Sequence, residues 1–128
     1  MSDESDDKTF DLEDRLIDFA VRIINAAESL PKTKVANHIA GQLIRCGTSP
    51  APNYGEAQSA ESRADFIHKM KICLKELRET RVWLLMIVRA KLIKPVSKLD
   101  SMIQESNELI SIFVTSIRTA KKGKNKFL

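Results

Sequence analysis

The stretch from Ser62 to Leu92 most constrains what this chain can fold into. Phe66, Met70, Cys73, Leu77, Thr80, Leu84 and Ile87 recur at steps of four and three. Such stepping is the heptad-like seam of one long helix lying along partner helices. Ser62 and Asp65 form a capping-box-like start, with Asp in place of the usual Glu. A second row of Ile67, Leu74, Leu85, Val88 and Leu92 widens the apolar stripe. Within it, Val82 to Val88 holds no polar residue. A helix that is apolar on every side expects burial on every side, and a lone bundle covers only one stripe. Either this segment is central in the fold, or a second copy of the chain covers its outer side. The sequence favours the second, with Trp83, Leu85 and Met86 at the contact.

The rest of the chain supplies partners of matching length. Leu12, Leu16, Phe19, Ile23, Ala26, Ala27 and Leu30 share one face of a first helix that Pro31 ends. Thr33 is a fitting cap for a second helix, with Val35, Ile39, Leu43 and Cys46 as its core face. Pro50 and Pro52 each lack a backbone donor, so this helix is expected to kink around residues 47–52 and continue to about Ser59. After Pro95, a last helix from Val96 to Ala120 places Leu99, Ile103, Ser106, Ile110, Phe113 and Ile117 on one face. Four long helices joined by short turns make an all-α, up-down four-helix bundle. Residues 12–120 form that domain. Residues 1–11, which lack apolar periodicity, are expected to be a disordered acidic tail, and 121–128 a basic C-terminal one. With 128 residues, the chain has enough core for a single domain without disulfides or metal.

Charge is distributed unevenly. The formal net charge is +4, yet residues 1–18 carry −6 and leave +10 on the remainder. A basic body suggests an anionic partner such as RNA or DNA, and an acidic tail suggests an internal competitor for it. Lys71, Lys75 and Arg78 share one face of the long helix, and Arg118, Lys121, Lys122, Lys124 and Lys126 cluster towards the C-terminus. These are the candidate phosphate contacts. No aromatic interleaving for base stacking accompanies them.

Enzyme signatures are missing. There is no phosphate-binding glycine loop, no HExxH, no GxSxG, and no Glu followed three residues later by His. His38 and His68 lie on different helices, so no metal and no cofactor is expected. The N-terminus reads as acidic and polar rather than as a secretory signal, and no apolar run approaches the ~18 residues of a membrane span. Cys46 and Cys73 are therefore expected to be reduced thiols in the cytoplasm. The remaining polar signal is structural. Glu76, Glu79 and Trp83 lie on one helical face, and Arg45 and Glu56 are about three turns apart on the second helix. A buried Arg–Glu network is expected there, with Asn53 beside it.

Together these elements carry a resemblance: Arg45, Gly47, Thr48, Ser49, Asn53, Tyr54, Glu56, Ala57, Ser62, Asp65, Phe66, Lys75, Glu76, Glu79, Thr80, Trp83 and Leu84. Over residues 12–120 the layout resembles the intervening-sequence, or four helix bundle, proteins, some of them encoded in insertions in bacterial large-subunit ribosomal RNA genes. The resemblance implies a left-handed up-down bundle, a ring-shaped homopentamer, and a non-enzymatic protein suspected of binding nucleic acid. A related group resembles accessory proteins of diversity-generating retroelements, which partner a reverse transcriptase; a protein scaffold is thus the alternative function. Two prolines flank Ala51 where the family pattern has one or none, which touches the continuity of the second helix.

Overall fold

The computed structural model describes residues 11–123. Helix α1 spans Leu12–Glu28, α2 Lys34–Thr48, α3 Pro50–Gln58, α4 Arg63–Arg89 and α5 Asp100–Lys121, with a 3-10 turn at Val96–Leu99 before α5. No strand occurs among the described residues. α2 and α3 are consecutive, so the described residues form four rods. Side-chain pairs between neighbouring rods rise in one and fall in the other: Arg15 with Glu105 and Arg22 with Ser101, Glu56 with Lys69 and Arg45 with Glu76. That register is the up-down arrangement.

The caps act locally as their chemistry dictates. Thr33 Oγ1 accepts from the Ala36 amide at 3.1 Å, and Ser62 Oγ accepts from the Asp65 amide at 3.1 Å. Each satisfies one of the amides that the first turn leaves without a partner. The α2–α3 junction shows why two prolines are tolerated. Ser49 keeps a helical backbone, and Pro50 opens α3, where a missing N–H costs nothing. The Asn53 side-chain amide and backbone amide both donate to the Ser49 carbonyl, at 2.9 and 3.2 Å.

The core is the seam read from α4. Phe66, Met70, Cys73, Leu77, Thr80, Leu84 and Ile87 are all buried. Thr80 spends its hydroxyl on the Glu76 carbonyl at 2.7 Å, so burying it leaves no orphan donor. Against this line pack Leu16, Phe19 and Ile23 of α1, Ile39 and Leu43 of α2, and Leu109, Phe113 and Ile117 of α5.

Two expected faces hold in most positions, with Ile39, Leu43 and Cys46 of α2, Leu99 of the 3-10 turn, and Ser106, Phe113 and Ile117 of α5 buried, and differ in a few. Val35 is 65% exposed; the buried line of α2 is Ala36, Ile39, Leu43, Cys46 and Gly47. Small residues face α1 because the rods come very close: a Cβ on Gly47 would lie 2.7 Å from Ile23 Cγ2. In α5 the buried line is Met102, Ser106, Leu109, Phe113, Ile117 and Ala120, while Ile103 and Ile110 are half-buried. The 3-10 turn ends at Leu99, and from Met102 onward the buried positions step by three and four along the α-helix.

Candidate nucleic-acid interface

The basic residues that looked like separate groups in the sequence meet in the fold. α4 and α5 run antiparallel, which brings Lys71 and Arg78 beside Arg118 and Lys121. These four, with Leu74, Val114 and Ile117, line a hollow of about 340 Å³ on the α4–α5 seam. A second hollow of about 350 Å³ continues from Arg78 to Arg81, Val82, Asn107 and Ile110. The two form one furrow with five cations along it. No acidic residue lines either part. Lys71, Arg78, Arg118 and Lys121 make no ion pair or side-chain hydrogen bond among the described residues. Arg81 gives its Nε proton to Asn107 Oδ1 at 2.7 Å, a neutral partner that leaves its charge uncompensated.

Sequence reasoning missed Arg81 and Asn107. Arg81 could have been found, because it follows Lys71 and Arg78 on the side of α4 that carries Leu74. Lys75 is exposed but does not line the furrow, and Lys122 is exposed at the end of α5. Lys124 and Lys126 lie outside the described residues, as does most of the acidic stretch.

The polar network forms in part. Arg45 reaches Glu76 Oε1 at 3.2 Å, pairs more closely with Glu79, and is propped by Gln42 Oε1 at 3.2–3.3 Å. Trp83 Nε1 donates to Glu79 Oε2 at 3.0 Å, and the His38 ring stands edge-on to the indole at 6.1 Å. Burial pulls on the Arg45 charge, but Glu79 and Glu76 outweigh it and hold the guanidinium above its ordinary value. The network is not buried as expected. The Arg45 side chain is 50% exposed and Glu76 12%, so the network seals the edge of the α2–α4 seam. Glu56 and Asn53 are not members. Glu56 pairs with Lys69 at 2.8 Å, and Asn53 serves the Ser49 carbonyl.

The three expected contact residues for a second copy differ among themselves. Trp83 and Leu85 are half-buried, while Met86 is 43% exposed beside Val82 at 46%. Ile17, Val21 and Ile24 form a second exposed apolar row on α1.

Groups able to do chemistry are sparse. Among the described residues, no cluster of three His, Cys, Asp or Glu side chains could hold a metal. Cys46 and Cys73 are buried free thiols, and burial pushes Cys73 up to about 12, so it stays protonated and unreactive at neutral pH. Among the described residues, no helix is long and apolar enough to cross a membrane.

Comparison with known proteins agrees with this architecture. The model of the 23S rRNA-intervening sequence protein family matches residues 8–115. The chain belongs to that family. A 1.70 Å crystal structure of a protein of unknown function from the S23 ribosomal protein family of Bacteroides thetaiotaomicron superposes with a TM-score of 0.77 and 36% identity. The match covers 84% of this chain and 98% of that one. No curated protein matches. As an intervening-sequence protein, the chain has its family's match ending at residue 115, just before Arg118 and Lys121 complete the furrow.

Proposed function

We propose that this intervening-sequence protein is a non-catalytic, homo-oligomeric bundle, a pentamer by the resemblance of its sequence, that holds RNA or DNA by its phosphates. The observation that carries the reading is the α4–α5 furrow: five cations, an aliphatic floor and no acid among the lining residues. Surface cations without acidic partners, gathered on one seam, are the electrostatic footprint of a polyanion site. No groove-reading element accompanies them, so contacts should go to phosphate rather than to base edges. Repetition of the furrow around a ring would multiply a weak site.

A titration of nucleic acid over salt, run beside a mass measurement by light scattering, tests both halves. Binding should weaken steeply with salt, and Arg78→Gln with Arg118→Gln should flatten that dependence. Absence of binding at ~0.15 M salt would overturn the nucleic-acid reading, and a monomer at micromolar concentration would overturn the assembly. Cytoplasmic location follows from the same proposal. A second reading, a scaffold for a protein partner such as a reverse transcriptase, is favoured by one observation. Val82, which also lines the furrow, and Met86 leave an apolar strip exposed on α4.

A further inference from the structure

We infer that α1 of one copy docks on α4 of the next, and that this one head-to-tail contact builds the assembly. The contact rests on the homo-oligomeric half of the reading above and gives that assembly its two faces. The exposed face of α1 carries Asp14, Ile17, Asp18, Val21, Ile24 and Glu28. The arginines of α1 turn away from it, Arg15 to Glu105 and Arg22 to Ser101 of α5. The exposed face of α4 carries Lys75, Arg78, Val82, Met86 and Arg89. The acids within that span turn away in the same manner, since Glu76 and Glu79 hold Arg45 of α2. One face is thus apolar between carboxylates, and the other apolar between cations. Among the described residues, Asp14, Asp18, Glu28, Lys75 and Arg89 have no ion pair within the chain.

The two patterns share one register. Glu28 and Arg89 are the last residues of α1 and α4, and both helices end where the bundle makes its α1–α2 and α4–α5 turns. Val21 and Val82 each lie seven residues before that end, and Asp14 and Lys75 each fourteen. Fourteen residues of helix are ~21 Å. α1 and α4 run in the same direction, so a neighbour set alongside at the same level brings Asp14 to Lys75, Val21 to Val82 and Glu28 to Arg89. The apolar middle supplies the attraction. The flanking charges select the register, because exposed ion pairs add little affinity of their own. α1 and α4 each pack on α2, α3 and α5, so the two faces stand at opposite corners of the bundle. One neighbour cannot engage both, and a two-fold dimer cannot form by this contact. Each copy takes two neighbours, and the series closes into a ring or runs on as a filament. Lys75 and Arg89 do not line the furrow.

The test is the mass of the full chain by light scattering at micromolar concentration, for the wild type and three variants. Asp14→Lys with Glu28→Lys should drop the mass to that of one chain, and so should Lys75→Glu with Arg89→Glu. All four substitutions in one chain should restore the wild-type mass. Loss of folding cannot mimic that restoration, and circular dichroism verifies that each variant keeps its helices. Paired variants that keep the wild-type mass would overturn the contact while the assembly stands, and would leave the α4 strip to a foreign protein. A helical four-fold variant that stays dissociated would overturn the contact as well. A wild-type monomer would overturn the contact and the assembly together.

Discussion

The two flanks of α5 treat positive charge in opposite ways. On the α1 side, Arg15 donates to Glu105 through Nε at 2.9 Å and Nη2 at 2.7 Å, and to Glu108 at 3.0 Å. The hydrogen bond to Glu105, against the pull of burial, raises the Arg15 pKa above its ordinary value. Arg22, further along, has only the neutral Ser101 Oγ at 2.6 Å, as Arg81 has Asn107, so the paired charge on this flank is Arg15. On the α4 side, five cations face no carboxylate along the furrow. A charge paired within the fold is spent on docking one helix against another. A charge left without a counterion raises the free energy of the isolated molecule slightly and is relieved only by something from outside. The contrast therefore separates helix-docking arginines from ligand-facing ones.

The largest expected effect tests the wall that both flanks share. Phe113 is fully buried and stands edge-on to Tyr54 at 6.0 Å. Phe113→Ala should cost ~3–5 kcal/mol in a denaturant titration and weaken both flanks together. A smaller loss, confined to one flank, would mean the two are independently supported. Next comes Arg15→Ala. It leaves Glu105, only 19% exposed, without its partner, and should cost ~1 kcal/mol after allowance for solvent screening at the half-exposed arginine. By contrast, Arg78→Gln with Arg118→Gln should move stability by less than ~0.5 kcal/mol. It should reduce the steepness of log K against log salt by ~0.7–0.9 per lost contact. If this pair melts the protein as Arg15→Ala does, the division between docking and ligand-facing charge is wrong.

The smallest effect is a pH dependence confined to the α1 flank. Hydrogen bonds from Gln104 and then Arg15 hold the Glu108 carboxyl below its ordinary value. Its contribution to stability is thus complete above the ordinary carboxylate range and is lost as pH falls through the lowered value. Melting temperatures of the wild type and Glu108→Gln should converge on acidification. Divergence in acid would reverse the sign and overturn the assignment.

How much of this was legible in the sequence depended on the distance over which each signal acts. The α4 seam was fully readable because a 27-residue helix gives six successive confirmations of one period. Thr33 and Ser62 were readable because a cap acts over three residues. Val35 and Ile103 were misplaced for a different reason. Which flanking residue of a helix is covered depends on where the neighbouring rods lie, and that is not written in the spacing of one helix. The Arg45–Glu76–Glu79 contacts follow from spacing, but placing Glu56 with them counts helical turns across the kink that Pro50 and Pro52 mark, where such a count does not hold. The furrow was the hardest part. Its two walls are some forty residues apart in the chain, and only the antiparallel register of α4 and α5 makes Lys71 a neighbour of Arg118 and Lys121.

The contact between Gly47 and Ile23 also bears on how this sequence can be inherited. Both γ carbons of Ile23 would lie within 3 Å of a methyl at position 47, at 2.7 and 2.9 Å. Valine at 23 keeps both of those carbons and gives no relief. Leucine moves its branch one atom outward and removes one of them. The two positions are therefore coupled: alanine at 47 beside isoleucine at 23 would force a side chain or a helix to shift. Two codons on different helices are in this way linked by about one methyl group of space.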